Sequence, residues 1–154
     1  MKRLLEKAKK LVQINSTYSR GTEEFVSFLE PLMVNLGLEV NVQHVMHSQE
    51  EISKRQFNIV GILGDSLVDR KTKKGLLLVT HLDTAEPGLR VHWKKTQGNP
   101  FQIVEDGDRI YGLGVADSKF DLLCRLKAVQ KFRERKLKEP IYVVGTCGEK
   151  IGML

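Results

Sequence analysis

The chain has 154 residues, of which 41% are hydrophobic and 29% are charged, and it contains two cysteines. This composition predicts a globular domain and excludes a disordered chain or a disulfide framework, which fits a reducing compartment. The start of the chain lacks the apolar stretch of a signal peptide, and no run approaches the ~18 apolar residues of a membrane span. We therefore expect a cytoplasmic protein with no membrane partner.

The net charge of +6 raises the question of a nucleic-acid partner. However, the basic residues are spread over predicted helix ends and loops and are not interleaved with aromatic side chains. This distribution is typical of a solvated surface, so we expect no nucleic acid as partner. A nucleic-acid-binding domain is the weakest alternative, and salt-sensitive binding to random DNA would support it.

Hydrophobic periodicity predicts two amphipathic helices near the start of the chain, over residues 2–14 and 22–36. Thr22 is predicted to cap the second helix and Gly37 to follow its last turn. Pro31 lies inside this pattern and predicts a kink or a break in the helix.

Three strand-like segments come next. Residues 38–42 alternate between apolar and polar side chains, as in a half-exposed strand. Residues 57–63 and 76–80 are more continuously apolar, which is typical of a sheet covered on both faces. The charged segment 64–75 between them is predicted to be a turn region.

The second half of the chain predicts a hairpin, a helix and a last strand. Residues 101–104 and 109–111 flank a turn at 105–108, residues 118–135 have helical periodicity, and residues 141–146 are strand-like. Alternating helices and apolar strands indicate an α/β fold with layers around a mostly parallel sheet.

Four residues with metal-binding or acid–base side chains follow apolar or glycine-rich segments. They are His81, Asp83, Asp117 and Glu149. In open α/β sheets, reactive groups collect outside the carboxyl ends of the strands. We therefore expect these four side chains to form one site.

The spacing of His81 and Asp83 suits a metal ligand and the group that orients it. Residues i and i+2 of a strand point to the same side, so both can face one way while Leu82 enters the core. A metal-bound imidazole usually donates its second N–H to a carboxylate or a carbonyl. The alternative for His81 is a histidine hydrogen-bonded at the end of a strand.

The two later carboxylates also have two interpretations each. Asp117 precedes a predicted helix, so it either caps that helix or turns an oxygen to a metal, or does both. Glu149 either accepts a proton from a metal-bound water or forms a surface ion pair with Lys150.

Ordered motifs along nearly the whole chain carry a family resemblance. They are Leu11-Val12-x-Ile14-x-Ser16, Leu36-Gly37-Leu38-x-Val40, Asn58-Ile59-Val60-Gly61, His81-Leu82-Asp83-Thr84, Trp93, Asn99-Pro100-Phe101, Asp106-Gly107-x-x-Ile110-Tyr111-Gly112-x-Gly114-x-x-Asp117-x-Lys119 and Thr146-x-x-Glu149-x-x-Gly152. With these motifs the sequence strongly resembles the di-zinc metallopeptidase and amidohydrolase family of acetylornithine deacetylase, succinyl-diaminopimelate desuccinylase, aminoacylase and glutamate carboxypeptidase.

The resemblance implies a fold and an activity. The expected fold is a three-layer α/β sandwich with a mostly parallel mixed sheet, of which residues 1–154 form an incomplete catalytic domain with no lid domain and no second domain. The expected activity is zinc-dependent hydrolysis of amide or peptide bonds in small N-acyl amino acids or peptides.

The resemblance also implies a role for each site residue. His81 is expected to bind one zinc, with Asp83 as its partner in the catalytic site, and Asp117 to bridge two zinc ions. Glu149 matches the general base that deprotonates the bridging water and later protonates the leaving amine. Cobalt or manganese is a possible substitute for zinc.

Several departures from the family pattern limit these expectations. Lys150 stands where the family has a second metal-binding glutamate, and a protonated lysine has no acceptor lone pair. If Lys150 projects toward the second metal position, we expect it to pair with Asp117 instead. Leu113 and Phe120-Asp121 also differ from the family, and the chain ends before the later ligands. We therefore expect weak or partial zinc binding and little hydrolysis by this chain alone.

These departures leave open whether the chain acts as an enzyme by itself. The alternative function is a non-catalytic interaction module that pairs with itself or with a separate C-terminal half. An incomplete sheet would leave an apolar edge or face uncovered, so self-association or poor solubility is expected of the isolated chain.

Overall fold

The computed structural model describes residues 2–46, 55–64 and 74–151. The predicted motif residue Gly152 and residues 65–73 of the predicted turn region lie outside this part of the chain. The helices and strands, in chain order, are α1 (Lys2–Gln13), α2 (Glu23–Asn35), β1 (Glu39–His44), β2 (Phe57–Leu63), β3 (Leu76–His81), β4 (Val104–Asp106), β5 (Arg109–Tyr111), α3 (Phe120–Gln130) and β6 (Ile141–Thr146).

Four of the strands form one mixed sheet in the order β1-β2-β6-β3, and β4 and β5 form a separate hairpin. Strand β6 pairs antiparallel with β2 and parallel with β3. The predicted α/β fold with a mixed sheet is confirmed. The expected parallel majority is not found among the described strands, because β1 and β2, which follow each other along the chain, also pair antiparallel.

All three helices pack into one core on a single face of the sheet. The buried apolar side chains of this core come from α1, α2, α3 and alternate positions of β2 and β6. On the opposite face, Leu77 and Val79 of β3 are 59% and 46% exposed, whereas Ile62 of β2 is only 8% exposed. The described residues thus form two of the three expected layers.

Thr22 is the N-cap residue of α2, as predicted, but its side chain has another partner. Thr22 does not cap the helix with its side chain: its hydroxyl donates to the carbonyl of Phe57 (2.7 Å) and accepts from the Phe57 N–H (2.8 Å), which ties α2 to β2. Pro31 lies inside a continuous helix and does not break it. Gly37 follows the helix with φ +83°, as predicted for the residue after the last turn.

Strands β5 and β6 have the predicted bounds, whereas β4 and α3 are shorter than predicted. The hairpin strands begin at Val104, and a tight turn at Gly107 replaces the predicted four-residue turn. A π-helical turn, Val115–Lys119, precedes α3, which ends at Gln130. None of the described helices is long and apolar enough to cross a membrane.

Gly145 on β6 allows side chains of the core to pack closely beside the end of β3. A Cβ at Gly145 would lie 2.7 Å from Leu82 Cδ2 and 2.9 Å from Ile59 Cγ2. Leu82 is fully buried and directly follows the end of β3. Close packing at Gly145 therefore fixes the chain between His81 and Asp83.

We predict that Gly145→Ala destabilises the fold by about 1–3 kcal/mol, since an added methyl group overpacks the core. Gly61→Ala is the matched control, because its Cβ would also clash, at 2.7 Å from Leu38 Cδ2. This clash involves Leu38 and not Leu82, the neighbour of His81. Thermal unfolding should show both losses, whereas NMR ring signals of His81 should shift only in Gly145→Ala. Equal shifts in the two variants would contradict this packing.

Candidate metal centre

The parallel pairing of β3 with β6 brings the candidate residues to one edge of the sheet. His81, the last residue of β3, lies opposite Thr146, the last residue of β6. A 3-10 turn, Glu149–Ile151, follows β6 at this edge. The π-helical turn that carries Asp117 closes over the same edge, where Ser118 Oγ donates a short hydrogen bond to the carbonyl of His81.

The His81 ring lies between two oxygen atoms. Its Nε2 is 2.7 Å from Asp117 Oδ1, and its Nδ1 is 2.8 Å from the backbone carbonyl oxygen of Asp83. A carbonyl and a carboxylate only accept hydrogen bonds, so Nδ1 carries a proton toward the carbonyl. The 2.7 Å between Nε2 and Oδ1 is the length of a hydrogen bond, and these two atoms are also of the types that bind metal ions.

Asp83 orients the site in a way that differs from the expectation. Its backbone carbonyl, rather than its carboxylate, contacts His81. The carboxylate is fully buried and accepts the backbone N–H of Glu149 (3.2 Å) and that of Lys150 (2.8 Å). Asp83 therefore fixes the turn after β6 against the end of β3.

Asp117 presents its carboxylate to the site rather than to the helix that follows. Its side chain is 71% exposed and makes no capping hydrogen bond. The peptide bond between Asp117 and Ser118 is cis. The hydrogen bond from His81, assisted by Lys150, holds the pKa of Asp117 below its ordinary value despite some desolvation. The carboxylate is therefore ionised at neutral pH.

Lys150 places its ammonium group between two carboxylates. Its Nζ lies 2.8 Å from Glu149 Oε2 and 3.2 Å from Asp117 Oδ2. These two carboxylates, Glu149 first, raise the pKa of Lys150 above its ordinary value, so the ammonium stays charged. The expected pairing of Lys150 with Asp117 is confirmed, and so is an ion pair between Glu149 and Lys150.

Neither cysteine belongs to this group of charged side chains. Burial raises the pKa of Cys147 to about 11, so it is a thiol rather than a metal-binding thiolate at neutral pH. Its backbone N–H donates to Asn58 Oδ1 at 2.9 Å. Cys124 is exposed, and both cysteines are free.

Comparison with known proteins identifies the family. Residues 77–153, half of the chain, match the model of peptidase family M20/M25/M40. The chain belongs to this family. Acetylornithine deacetylase from Aliivibrio fischeri is 31% identical over 140 residues, which are 91% of this chain and 32% of that protein. The chain thus spans about a third of the length of the curated relatives it matches.

Solved structures show the same fold. A di-peptidase, Dug1p from Saccharomyces cerevisiae, matches with a TM-score of 0.76 at 17% identity, over 99% of this chain and 33% of that one. The M20 family metallo-carboxypeptidase Sso-CP2 from Sulfolobus solfataricus matches with a TM-score of 0.72 at 21% identity, over 95% of this chain and 31% of that one. The α/β fold is therefore that of the M20 catalytic domains.

The residues at the centre fit part of one metal site. Two zinc ligands at tetrahedral positions lie about 3.3 Å apart, so a small opening of the 2.7 Å contact between His81 and Asp117 would admit an ion. Across residues 2–46, 55–64 and 74–151, no three histidine, cysteine, aspartate or glutamate side chains converge as a metal-binding group. A second ion does not fit, because the ammonium of Lys150 lies beside the other Asp117 oxygen.

The sequence alone gave no role to Lys119, which the structure buries two residues after Asp117. Lys119 is 1% exposed, donates to the carbonyl of Ile14 at 2.6 Å and lies 5.6 Å from the centre of the Phe25 ring. Its side-chain carbons pass close to Gly114, at the start of the turn that carries Asp117. Only its position two residues after Asp117 in the motif pointed to it. Lys119 joins the end of α1 to this turn.

We predict that burial of Lys119 makes stability depend on pH. Burial lowers its pKa to about 8 from 10.5, so between these values the unfolded chain binds more protons and stability rises with pH. The full effect is roughly 3 kcal/mol. From pH 7 to pH 10, the melting temperature of the natural chain should therefore rise relative to that of the Lys119→Met variant.

The exposed residue Lys131 provides the control, because Lys131→Met removes the same charge without burial. The difference between this variant and the natural chain should stay constant over the same pH range. A constant difference for Lys119→Met as well would contradict the burial of a charged amine.

Proposed function

We propose that the protein is a metal-dependent hydrolase of amide bonds in which His81 and Asp117 bind the metal and Glu149 transfers protons. The observation that carries this proposal is the 2.7 Å contact between His81 Nε2 and Asp117 Oδ1 at the carboxyl end of the parallel strand pair. An imidazole and a carboxylate in contact, with a second carboxylate on Glu149 in the same group of charged side chains, supply part of a hydrolytic metal centre.

The chain's own residues have separate tasks in this proposal. A bound Zn²⁺, or cobalt or manganese in its place, would polarise the scissile carbonyl and acidify a bound water. His81 is held by the Asp83 carbonyl with Nε2 directed at Asp117. Glu149, whose backbone is fixed by the Asp83 carboxylate, accepts a proton from the attacking water and returns it to the leaving amine.

Two relatives support the class of substrate. One is named an acetylornithine deacetylase and the other a di-peptidase, so small N-acyl amino acids or peptides are the proposed substrates. The described residues supply two ligands, whereas a catalytic zinc usually has three from protein. We therefore propose weak metal binding and little turnover by this chain alone. Its free cysteines support a reducing compartment such as the cytoplasm.

The exposed apolar side chains of β3 on the sheet face opposite the helices favour a second candidate function. Leu77 and Val79 present apolar surface on this face, which suits pairing with another copy or with a separate C-terminal half. In this case the protein would act as an interaction module. Such a module has no need of the candidate metal ligands, so the same binding experiment separates the two functions.

The test is zinc affinity of the full chain, measured by competition with a chromophoric chelator. His81→Asn and Asp117→Asn should each weaken binding at least about tenfold, because each removes a ligand. His92→Asn, at an exposed histidine outside the centre, is the control and should bind as the natural chain does. Unchanged affinity in both ligand variants would contradict the metal site and favour the interaction module.

The same preparations should be assayed for release of amine from N-acetyl amino acids with and without zinc. We expect no zinc-dependent turnover by the 154-residue chain. Turnover that disappears in Glu149→Gln would contradict the expected inactivity and would show that the base works with two ligands.

A further inference from the structure

We propose that the ammonium group of Lys150 takes the place of a second metal ion, so that this centre binds a single divalent cation. The inference rests on the proposed metal site at His81 and Asp117. It starts from the position of Lys150 Nζ, 3.2 Å from Asp117 Oδ2 and 2.8 Å from Glu149 Oε2. The ammonium thus supplies a positive charge between two carboxylates that could otherwise both turn to a second metal ion.

The two oxygens of Asp117 contact different partners. Oδ1 lies at hydrogen-bond distance, 2.7 Å, from His81 Nε2, and this is the contact that would open to admit the proposed ion. Oδ2 accepts from the ammonium of Lys150. A protonated lysine donates three hydrogen bonds and has no lone pair, so it cannot become a ligand to an ion at this position. The carboxylate can thus bind one metal ion through Oδ1 and still pair with Lys150 through Oδ2.

The backbone of Lys150 is held in this place by a buried group. Its N–H donates to Asp83 Oδ2 at 2.8 Å, and the neighbouring Glu149 N–H donates to Asp83 Oδ1. The Lys150 side chain is only 22% exposed. By contrast, the surface pair Lys95–Asp106 is more than half exposed on both sides. The backbone of Lys150 is therefore held in place and its side chain is partly buried, so its ammonium group has a defined position in the centre.

The arrangement also gives Lys150 an effect on the first ion. An ammonium close to Asp117 competes for the charge of the carboxylate and repels a divalent cation bound to its other oxygen. The centre should therefore bind one ion less tightly than the same ligands without Lys150. A second ion should be excluded until the ammonium is removed and a ligand replaces it.

The experiment is isothermal titration of the full chain with Zn²⁺, together with metal analysis after dialysis. The natural chain should bind about one ion, and Lys150→Met should bind about one ion at least tenfold more tightly, because repulsion is removed without adding a ligand. Lys150→Glu should bind about two ions, because the new carboxylate and the neighbouring Asp117 can together hold the second one.

Lys131→Glu makes the same change of charge at an exposed position of the chain and should change the affinity less than about twofold. Thermal unfolding of each variant verifies that it is folded, and Lys150→Met keeps the test valid if Lys150→Glu does not fold. Two ions in the natural chain, or the same affinity in the natural chain and Lys150→Met, would overturn the proposal. If His81→Asn bound zinc as tightly as the natural chain does, the proposed function itself would be overturned.

Discussion

The parallel pairing of β3 with β6 is the constraint on which the rest of the centre depends. Its register sets His81 opposite Thr146, so both strands end at the same edge and their following residues lie side by side. Glycine at position 145 allows Leu82 and Ile59 to pack against β6 and keeps this register close-packed. A slip by one residue would turn His81 to the other face of the sheet.

Asp83 positions the charged side chains of the centre through its hydrogen bonds. Its carboxyl group is buried, and both oxygens accept backbone N–H groups from the turn after β6, so its polar atoms are not left without partners. The same turn carries Glu149 and Lys150, and the Asp83 carbonyl holds the His81 ring. One residue therefore sets the positions of the proposed metal ligand His81, the proposed proton-transfer group Glu149 and the ammonium-bearing Lys150.

The sequence predicted the fold class and the convergence of His81 with Asp117, because strand ends and glycine-rich turns have strong local signals. It did not predict that Asp83 orients His81 through its carbonyl, since spacing along a strand says nothing about which group of a residue makes the contact. Thr22 illustrates a similar limit: its local pattern is that of a helix cap, but β2 provides a competing partner. Burial of Lys119 depends on packing between α1 and a distant turn, which no local pattern shows.

The central claim is that the contact between His81 Nε2 and Asp117 is the place where a metal ion replaces a proton. Long-range ¹H–¹⁵N NMR of the histidine rings, recorded while Zn²⁺ is added to the full chain, tests it most directly. The Nε2 signal of His81 should move to the metal-bound range while its Nδ1 stays protonated toward the Asp83 carbonyl, and the signals of the exposed His92 should not change. A His81 ring that does not respond to zinc, or one that binds it through Nδ1, would show that the metal does not bind at this contact.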